Sequence, residues 1–179
     1  MPTTNLTGWT LAFSDDFSGS SLHYPSWFKY GGTLWDGSHV VVENGLLELQ
    51  SYGSKSTYGK YLVRQRIDPG IRDSTSATFH FTSKNNQTTQ YLRNVNFTQW
   101  HTMGVEWTPG KLVYTIDDQV WGTVQSNYVP NISMGLALQT QAGTTSSNWN
   151  PIPNNSTPSM VQMQVDWVVI YAWNPQQTS

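Results

Sequence analysis

The sequence lacks cysteine, has few charges and contains no long apolar run. Because none of its 179 residues is cysteine, a disulfide framework is excluded and stability must come from packing. Only 11% of the residues are charged, the formal net charge is −2 and no basic run occurs, so we expect no nucleic-acid partner. No segment is long and apolar enough to span a membrane, so we expect no membrane partner. Residues 1–7 lack the pattern of a signal peptide, so we expect no targeting signal in this chain.

A helical period is also missing, and short β-like runs separated by turn residues take its place. Asn44-Gly45 lies between two such runs and predicts a hairpin. Residues 75–82 alternate, with Ala77, Phe79 and Phe81 on one face. Further strands are predicted at residues 61–67, 100–107, 112–116, 120–124, 134–140 and 161–171, and a long surface loop at 142–159. This spacing predicts one all-β domain over residues 1–179, an antiparallel β-sandwich or jelly roll.

Aromatic residues are abundant where charges are scarce. The chain has 9 Trp and 9 Tyr. Such a composition suits a neutral, hydroxyl-rich ligand such as a glycan, because the C–H faces of sugars stack on aromatic rings. The alternative, which we expect for most of these rings, is that they fill the core of the sandwich.

Six stretches of the sequence form an ordered set. In chain order, they are residues 13–19 (FSDDFSG), 38–42 (SHVVV), 58–61 (YGKY), 107–111 (WTPGK), 136–141 (LALQTQ) and 165–171 (VDWVVIY). Together they resemble glycoside hydrolase family 16, the laminarinase and lichenase type, and most closely a bacterial branch of it. The resemblance implies a concanavalin-like jelly roll with a sugar groove across one concave sheet. It also implies a secreted, monomeric protein whose partner is a polysaccharide or oligosaccharide.

The sequence departs from the family in the segment that should carry catalysis. In the family, the strand that resembles residues 58–67 is followed by a further strand and then by the catalytic strand. Here residues 67–74 lead directly to the strand at 75–82, so two family strands are missing. No Glu-x-Asp-x-Glu or Glu-x-Asp-x-x-Glu motif occurs anywhere in the chain. We therefore assign no catalytic residue.

The remaining carboxylates do not offer an evident substitute. A retaining glycosidase needs two carboxyl groups about 5–5.5 Å apart. Glu43 and Glu48 flank the Asn-Gly turn, where we expect them to be solvated, and Glu106 is expected to be a hydrogen-bonded structural group. Asp68 and Asp73 flank a Pro-Gly turn, and turn carboxylates are usually solvated.

The resemblance implies a set of groove residues that remain despite the missing strands. His80 and Arg64 match polar positions that face the family's cleft. Gln139 and Gln141 match a stretch that approaches the sugar, and their amides suit paired contacts with hydroxyls. Trp35 lies in a glycine-rich loop, where its ring either stacks on a sugar or packs under the loop.

The resemblance also implies a structural calcium, while no cofactor is expected to be required. Its ligands would be the Asp16 carboxylate, the Gly45 carbonyl and the Asp166 side chain, all hard oxygen donors of the kind that calcium prefers. The alternative for Asp166 is a hydrogen bond that caps a strand. The four histidines are scattered along the chain, and we expect none of them to bind a metal.

Three functional hypotheses remain open at this stage. The first is a catalytically silent protein that binds β-glucans or galactans. The second is an active endo-glycosidase that uses carboxylates not recognised in the sequence. The third is a deletion product of a hydrolase without a selected function, in which the loss of two strands from the middle of a sheet exposes new edges.

Overall fold

The computed structural model describes residues 1–29, 37–52, 73–132, 134–139 and 152–178. Within these ranges the secondary structure is almost entirely antiparallel strand, which confirms the all-β prediction. One short 3-10 turn, Gly37–His39, precedes the second strand. The strands are β1 (Trp9–Asp15), β2 (Val40–Glu43), β3 (Leu46–Tyr52), β4 (Ser74–Phe81), β5 (Asn86–Arg93), β6 (Met103–Thr108), β7 (Lys111–Ile116), β8 (Gln119–Gln125), β9 (Met160–Val165) and β10 (Val168–Trp173).

The chain divides into two compact units. The first unit comprises residues 1–64 and 138–179, and the second comprises residues 65–137. The strands of the first unit form the sheets β1-β10 and β2-β3-β9, and those of the second form β4-β5 and β6-β7-β8. The expectation of a single domain over the whole chain remains a prediction.

The hairpin β2-β3 of the first unit forms as the sequence predicts. Asn44 and Gly45 have φ angles of 53° and 74°, the left-handed pair that a tight two-residue hairpin requires. Glu43 pairs with Leu46 directly beside the turn. The register that follows directs Val42 and Leu47 to the same face of the sheet.

That face covers the core of the first unit. Phe17 is 2% exposed and Leu47 is 3% exposed, and both belong to a cluster with Val42, Leu49 and Val168. The ring of Trp27 packs against this cluster.

The predicted strand at residues 161–171 is two strands. β9 pairs with β3, whereas β10 pairs with β1, so the chain passes from one sheet to the other at Asp166 and Trp167. Apolar residues occur on both sides of the change of sheet because both strands contribute to the core. The sequence pattern therefore does not show where β9 ends and β10 begins.

The second unit is built from a hairpin and a three-stranded sheet. Phe79 is buried with Tyr114, Val124 and Val129, while Ala77 and Phe81 pack against this cluster. The predicted faces of the strand at residues 75–82 are thus confirmed. β5, which pairs with all eight residues of β4, has no apolar alternation and is not predicted from the sequence.

Two other predictions need correction. The strand expected from residue 100 begins at Met103, and Trp100 lies outside it with 60% exposure. The strand expected at 134–140 is wrong for the described residues 134–139, which form none. Met134 and Leu136 are 62% and 52% exposed, so their apolar alternation reflects no buried face.

Some predicted features fall outside the described ranges. These are the strand at residues 61–67, the junction at 67–72 and most of the loop at 142–159. In the part of the chain that the structure describes, no helix is long and apolar enough to cross a membrane.

Candidate functional site

The structure describes two of the five predicted groove residues. His80 lies on β4, in the second unit, and Gln139 follows the core residue Leu138 in the first unit. Trp35, Arg64 and Gln141 lie outside the described residues.

His80 is exposed on the face of β4 that points away from the Phe79 core. Its Nδ1 donates to Oδ1 of Asn85 at 2.7 Å, across the turn that joins β4 to β5. This contact orients the ring and leaves Nε2 as the imidazole nitrogen that can accept a hydrogen bond from a ligand. Gln139 is half-buried and already interacts with a neighbouring group.

The second face of the β2-β3-β9 sheet carries a cluster of carboxylate and amide groups, which we call the Glu48 cluster. Because Leu47 and Leu49 face the core, Glu48 and Gln50 point to the opposite face. On β9, Gln164 pairs with Glu48 and Gln162 pairs with Gln50, so all four side chains share that face. The alternation of strand residues thus assembles one carboxylate and three primary amides on a sheet surface.

Hydrogen bonds connect the members of the Glu48 cluster. Oε2 of Glu48 accepts from Nε2 of Gln50 at 2.8 Å, and its Oε1 accepts from the amides of Gln164 at 2.9 Å and Gln162 at 3.3 Å. Three donors on one carboxylate make charge-assisted hydrogen bonds, which are stronger than those between neutral groups. The carboxylate therefore fixes the orientation of all three amides.

The position of Glu48 corrects a prediction. The sequence suggested a solvated residue beside the hairpin turn, but Glu48 is 7% exposed and Gln50 is 9% exposed. Glu43, on the other side of the turn, is exposed as expected. The two glutamates differ because β9 lies beside β3, and its glutamines reach Glu48 across the sheet. Sequence reasoning missed this cluster because its partners are more than a hundred residues apart.

One acceptor in the Glu48 cluster has no partner. Oε1 of Gln162 is buried and makes no hydrogen bond with the described residues. Because buried polar atoms are nearly always paired, this oxygen keeps the capacity for one more hydrogen bond. Amide groups that both donate and accept match the hydroxyls of a sugar.

The other acidic residues in the described ranges differ in their contacts. Asp15 accepts from the backbone N–H of Phe17 and from Nε1 of Trp27, both at 2.8 Å. Glu106 is exposed on β6 without a hydrogen bond to the described residues, in contrast to the structural group expected there. Of the pair Asp68 and Asp73, only Asp73 is described, and its carbonyl oxygen accepts from the N–H of Val95. These contacts give no arrangement of an acid beside a nucleophile.

In the second unit, His101 and Asp117 form an ion pair. Nδ1 of His101 lies 2.7 Å from Oδ2 of Asp117, and its Nε2 lies 3.1 Å from the carbonyl oxygen of Asn96. The other carboxylate oxygen accepts from the N–H of Thr102 at 2.8 Å. The hydrogen bond between the two side chains raises the pKa of His101 and lowers the pKa of Asp117. Because both ring nitrogens face acceptors, the protonated imidazolium fits this position, and the pair connects the segment before β6 to the β7-β8 turn.

The predicted calcium ligands agree with calcium chemistry in donor type. Asp16 is exposed, and the hydrogen bonds of its carboxylate with Ser18 lower its pKa, so it is ionised at neutral pH. Gly45 presents its carbonyl in the hairpin turn, and Asp166 is exposed between β9 and β10. Among the described residues, no three His, Cys, Asp or Glu side chains cluster as a metal site. The predicted set has only two carboxylates, so the calcium site remains a prediction.

Comparison with known proteins finds solved structures of similar fold, but it finds no similar sequence among protein families or curated proteins. No family model matches the sequence, and no curated protein matches it either.

Solved structures share the fold over nearly the whole chain. One comes from a study of endo-acting O-glycanases with which human gut bacteria initiate mucin breakdown; its TM-score is 0.68 at 14% identity, over 97% of this chain and 95% of that one. The laminarinase from Rhodothermus marinus has a TM-score of 0.65 at 14% identity, over 92% and 98%. A non-specific endo-β-1,3(4)-glucanase from family GH16 has a TM-score of 0.62 at 12% identity, over 97% and 95%. These likenesses confirm the jelly-roll fold and support the resemblance to glycoside hydrolase family 16.

Proposed function

We propose that this protein binds β-glucan or galactan chains without cleaving them. The observation that carries the proposal is a contrast between fold and sequence. The chain has the fold of laminarinases and endo-glucanases, but its sequence contains no strand with the two carboxylates that a retaining glycosidase requires. A surface that binds sugar needs hydroxyl-matching groups but no acid and nucleophile.

The Glu48 cluster supports the binding part of the proposal. Its three amides are oriented in advance by one carboxylate, and Oε1 of Gln162 is an acceptor that bonds to none of the described residues. Preorganised polar groups lower the cost of ordering the protein upon binding. We propose that the groove residues Gln139, Trp35, Arg64 and Gln141 add to the sugar contact of the first unit, and that His80 is a separate sugar contact of the second unit.

The engaged state of Glu48 supports the absence of cleavage. Both of its oxygens accept from glutamine amides on the same sheet face, so the contacts seen for this carboxylate hold those amides in place. Asp15 and Asp117 are likewise occupied by tryptophan, histidine and backbone donors.

A second candidate function is hydrolysis by an unrecognised carboxylate. The observation that favours it is that Glu48 is a nearly buried carboxylate that lies among polar groups on a sheet face. Hydrolysis then depends on Glu48, and Glu48→Gln abolishes it.

The first experiment separates the two functions. The purified protein is incubated with laminarin, mixed-linkage β-glucan and agarose, and new reducing ends are measured against a heat-killed control. Retardation of the native protein in gels that contain the same polysaccharides measures binding. We expect retardation without new reducing ends. New reducing ends that disappear in Glu48→Gln would establish the second candidate, and neither binding nor cleavage by a compact folded protein would support the deletion product.

We also propose that Asp16, Gly45 and Asp166 hold a structural calcium. Calcium should then raise the melting temperature of the chelator-treated protein, and Asp166→Asn should remove that rise. An equal rise in the variant would exclude Asp166 as a ligand.

A further inference from the structure

A cavity in the first unit has none of the four Glu48-cluster residues among its described lining residues. It has a volume of about 490 Å³ and lies between residues 20–29 and β2. This size is in the range of small-molecule sites, roughly 300–1,000 Å³. We call it the Tyr24 pocket; its lining includes Ser20, Ser21, Tyr24, Trp27, Phe28 and Lys29.

Two aromatic rings of the Tyr24 pocket are open to solvent. Tyr24 is 80% exposed and Phe28 is 74% exposed, although both belong to the cavity wall. These rings supply apolar faces that a flat, hydroxyl-bearing ring can cover, while the phenol of Tyr24 adds a hydrogen-bonding group.

A tryptophan held by several contacts forms another part of the pocket wall. The Nε1 of Trp27 donates to Asp15 at 2.8 Å, and its ring lies edge-on to Phe13 and tilted against Phe17, each with centroids 5.8 Å apart. Because Trp27 also packs on the core cluster, its wall of the pocket is fixed before any ligand arrives.

Polar donors and acceptors surround the aromatic wall. The ammonium group of Lys29 donates to the carbonyls of Gly37 at 2.7 Å and Val40 at 2.8 Å, which leaves one of its three N–H groups. The contact with the Val40 carbonyl shows that this residue directs its backbone groups away from β3. By strand alternation Val42 does the same, so β2 offers backbone groups along its outer edge.

We propose that the Tyr24 pocket is a second glycan-binding site, which stacks one or two sugar rings of a neutral β-linked glucan on Tyr24 and Phe28. This inference rests on the proposed function and extends it from one binding surface to two. The lining residues that the structure describes include no carboxylate, and the charge of Lys29 is already engaged by two carbonyls, so a neutral polyhydroxylated chain fits better than a charged ligand.

The test compares exposed aromatic residues inside and outside the pocket. Tyr24→Ala, Phe28→Ala and the double variant are run in native gels that contain laminarin or mixed-linkage β-glucan. Tyr91→Ala is the matched control, since Tyr91 is also exposed, at 52%, but lies on β5 in the second unit. All four changes remove exposed rings, and melting curves verify that each variant folds.

We expect each pocket variant to bind about two- to tenfold more weakly, a loss that matches one aromatic stacking contact, and Tyr91→Ala to bind like the parent. Binding by the parent that the pocket variants retain in full would overturn the second site and leave the proposed function intact. An equal loss in Tyr91→Ala would also overturn it, since the effect would then not belong to the pocket. A parent protein that binds no polysaccharide would overturn both proposals.

Discussion

The two units of this protein place comparable strand residues in different surroundings. In the first unit, residues 47–50 of β3 are all buried, so both faces of the sheet are covered at that point. In the second unit, Met103 and Val105 of β6 are 50% and 64% exposed. Val105 pairs with Tyr114, which is 6% exposed, so the two residues share a face of the sheet but differ in burial.

The two units thus differ in whether the sheet face is covered by neighbouring side chains. The outer face of β3 is covered because Glu48 finds amide partners on β9. β6 lies at the edge of its sheet among the described strands and leaves apolar side chains open.

The largest difference in stability should appear when an apolar side chain is truncated on a buried strand of the first unit and on an exposed strand of the second. Leu47→Ala removes a side chain that is 3% exposed, and we expect the free energy of unfolding to fall by about 2–5 kcal/mol. Val105→Ala, at 64% exposure, should change it by less than about 0.5 kcal/mol. Urea unfolding measures both. Similar losses in the two variants would contradict the comparison.

The next largest effect tests the polar face of the first unit. Glu48→Ala leaves three amide donors without their acceptor, and we expect a loss of roughly 2–3 kcal/mol in the free energy of unfolding. Glu43→Ala, on the exposed side of the same hairpin, is the matched control and should stay within about 0.5 kcal/mol. If the control loses as much stability as Glu48→Ala, the amide cluster does not stabilise the sheet.

A positive charge introduced on β6 should have little effect on stability but should measurably reduce self-association of the protein. Val105→Lys places a cation on an exposed edge strand, a device by which natural sheets avoid edge-to-edge pairing. We expect stability within about 0.5 kcal/mol of the parent and less light scattering at high protein concentration. Unchanged scattering would indicate that β6 does not mediate self-association.

The smallest effect concerns pH and the pair His101–Asp117. The raised pKa of His101 means that its contribution is complete below about pH 6.5 and is lost as the pH rises through the raised value. The lowered pKa of Asp117 means that its contribution is present above about pH 3.8 and is lost as the pH falls through the lowered value. The pair therefore stabilises the second unit most between about pH 4 and 6.5.

Proton NMR of the His101 ring tests this pair directly. Asp117→Asn should lower the pKa of His101, because the carboxylate that favours the imidazolium is gone. Asp118→Asn changes the neighbouring turn residue, which also has a positive φ, and should leave the titration of His101 unchanged. Equal shifts in the two variants would point to the net charge of the turn instead of the hydrogen bond.

Local patterns predicted the parts of the fold that depend on nearby residues. The hairpin at Asn44-Gly45 and the apolar face of β4 were both predicted, because turn chemistry and alternation act over a few residues. β5 was missed because its polar sequence follows no alternation and is held by pairing with β4. The separation of β9 from β10 was missed because each strand pairs with a distant segment.

The candidate site was less predictable than the fold. His80 could be placed on the outer face of its strand from alternation alone. Glu48 was expected in solvent, and no local signal identifies the two glutamines of β9 that enclose it. A polar residue in a strand is buried only when a neighbouring strand supplies its hydrogen bonds, and strand order is a property of the whole fold.

The identities of the residues set which chemical groups this protein can use. The sequence excludes disulfides, and it lacks the strand motif with two carboxylates, because both depend on which residues are present at all. The tertiary structure alone decided which groups meet: it buries Glu48 among three amides and opens Tyr24 and Phe28 beside a fixed tryptophan. Residue identity limits the reactions, whereas distance and burial, which arise from contacts between remote segments, decide which side chains form a site.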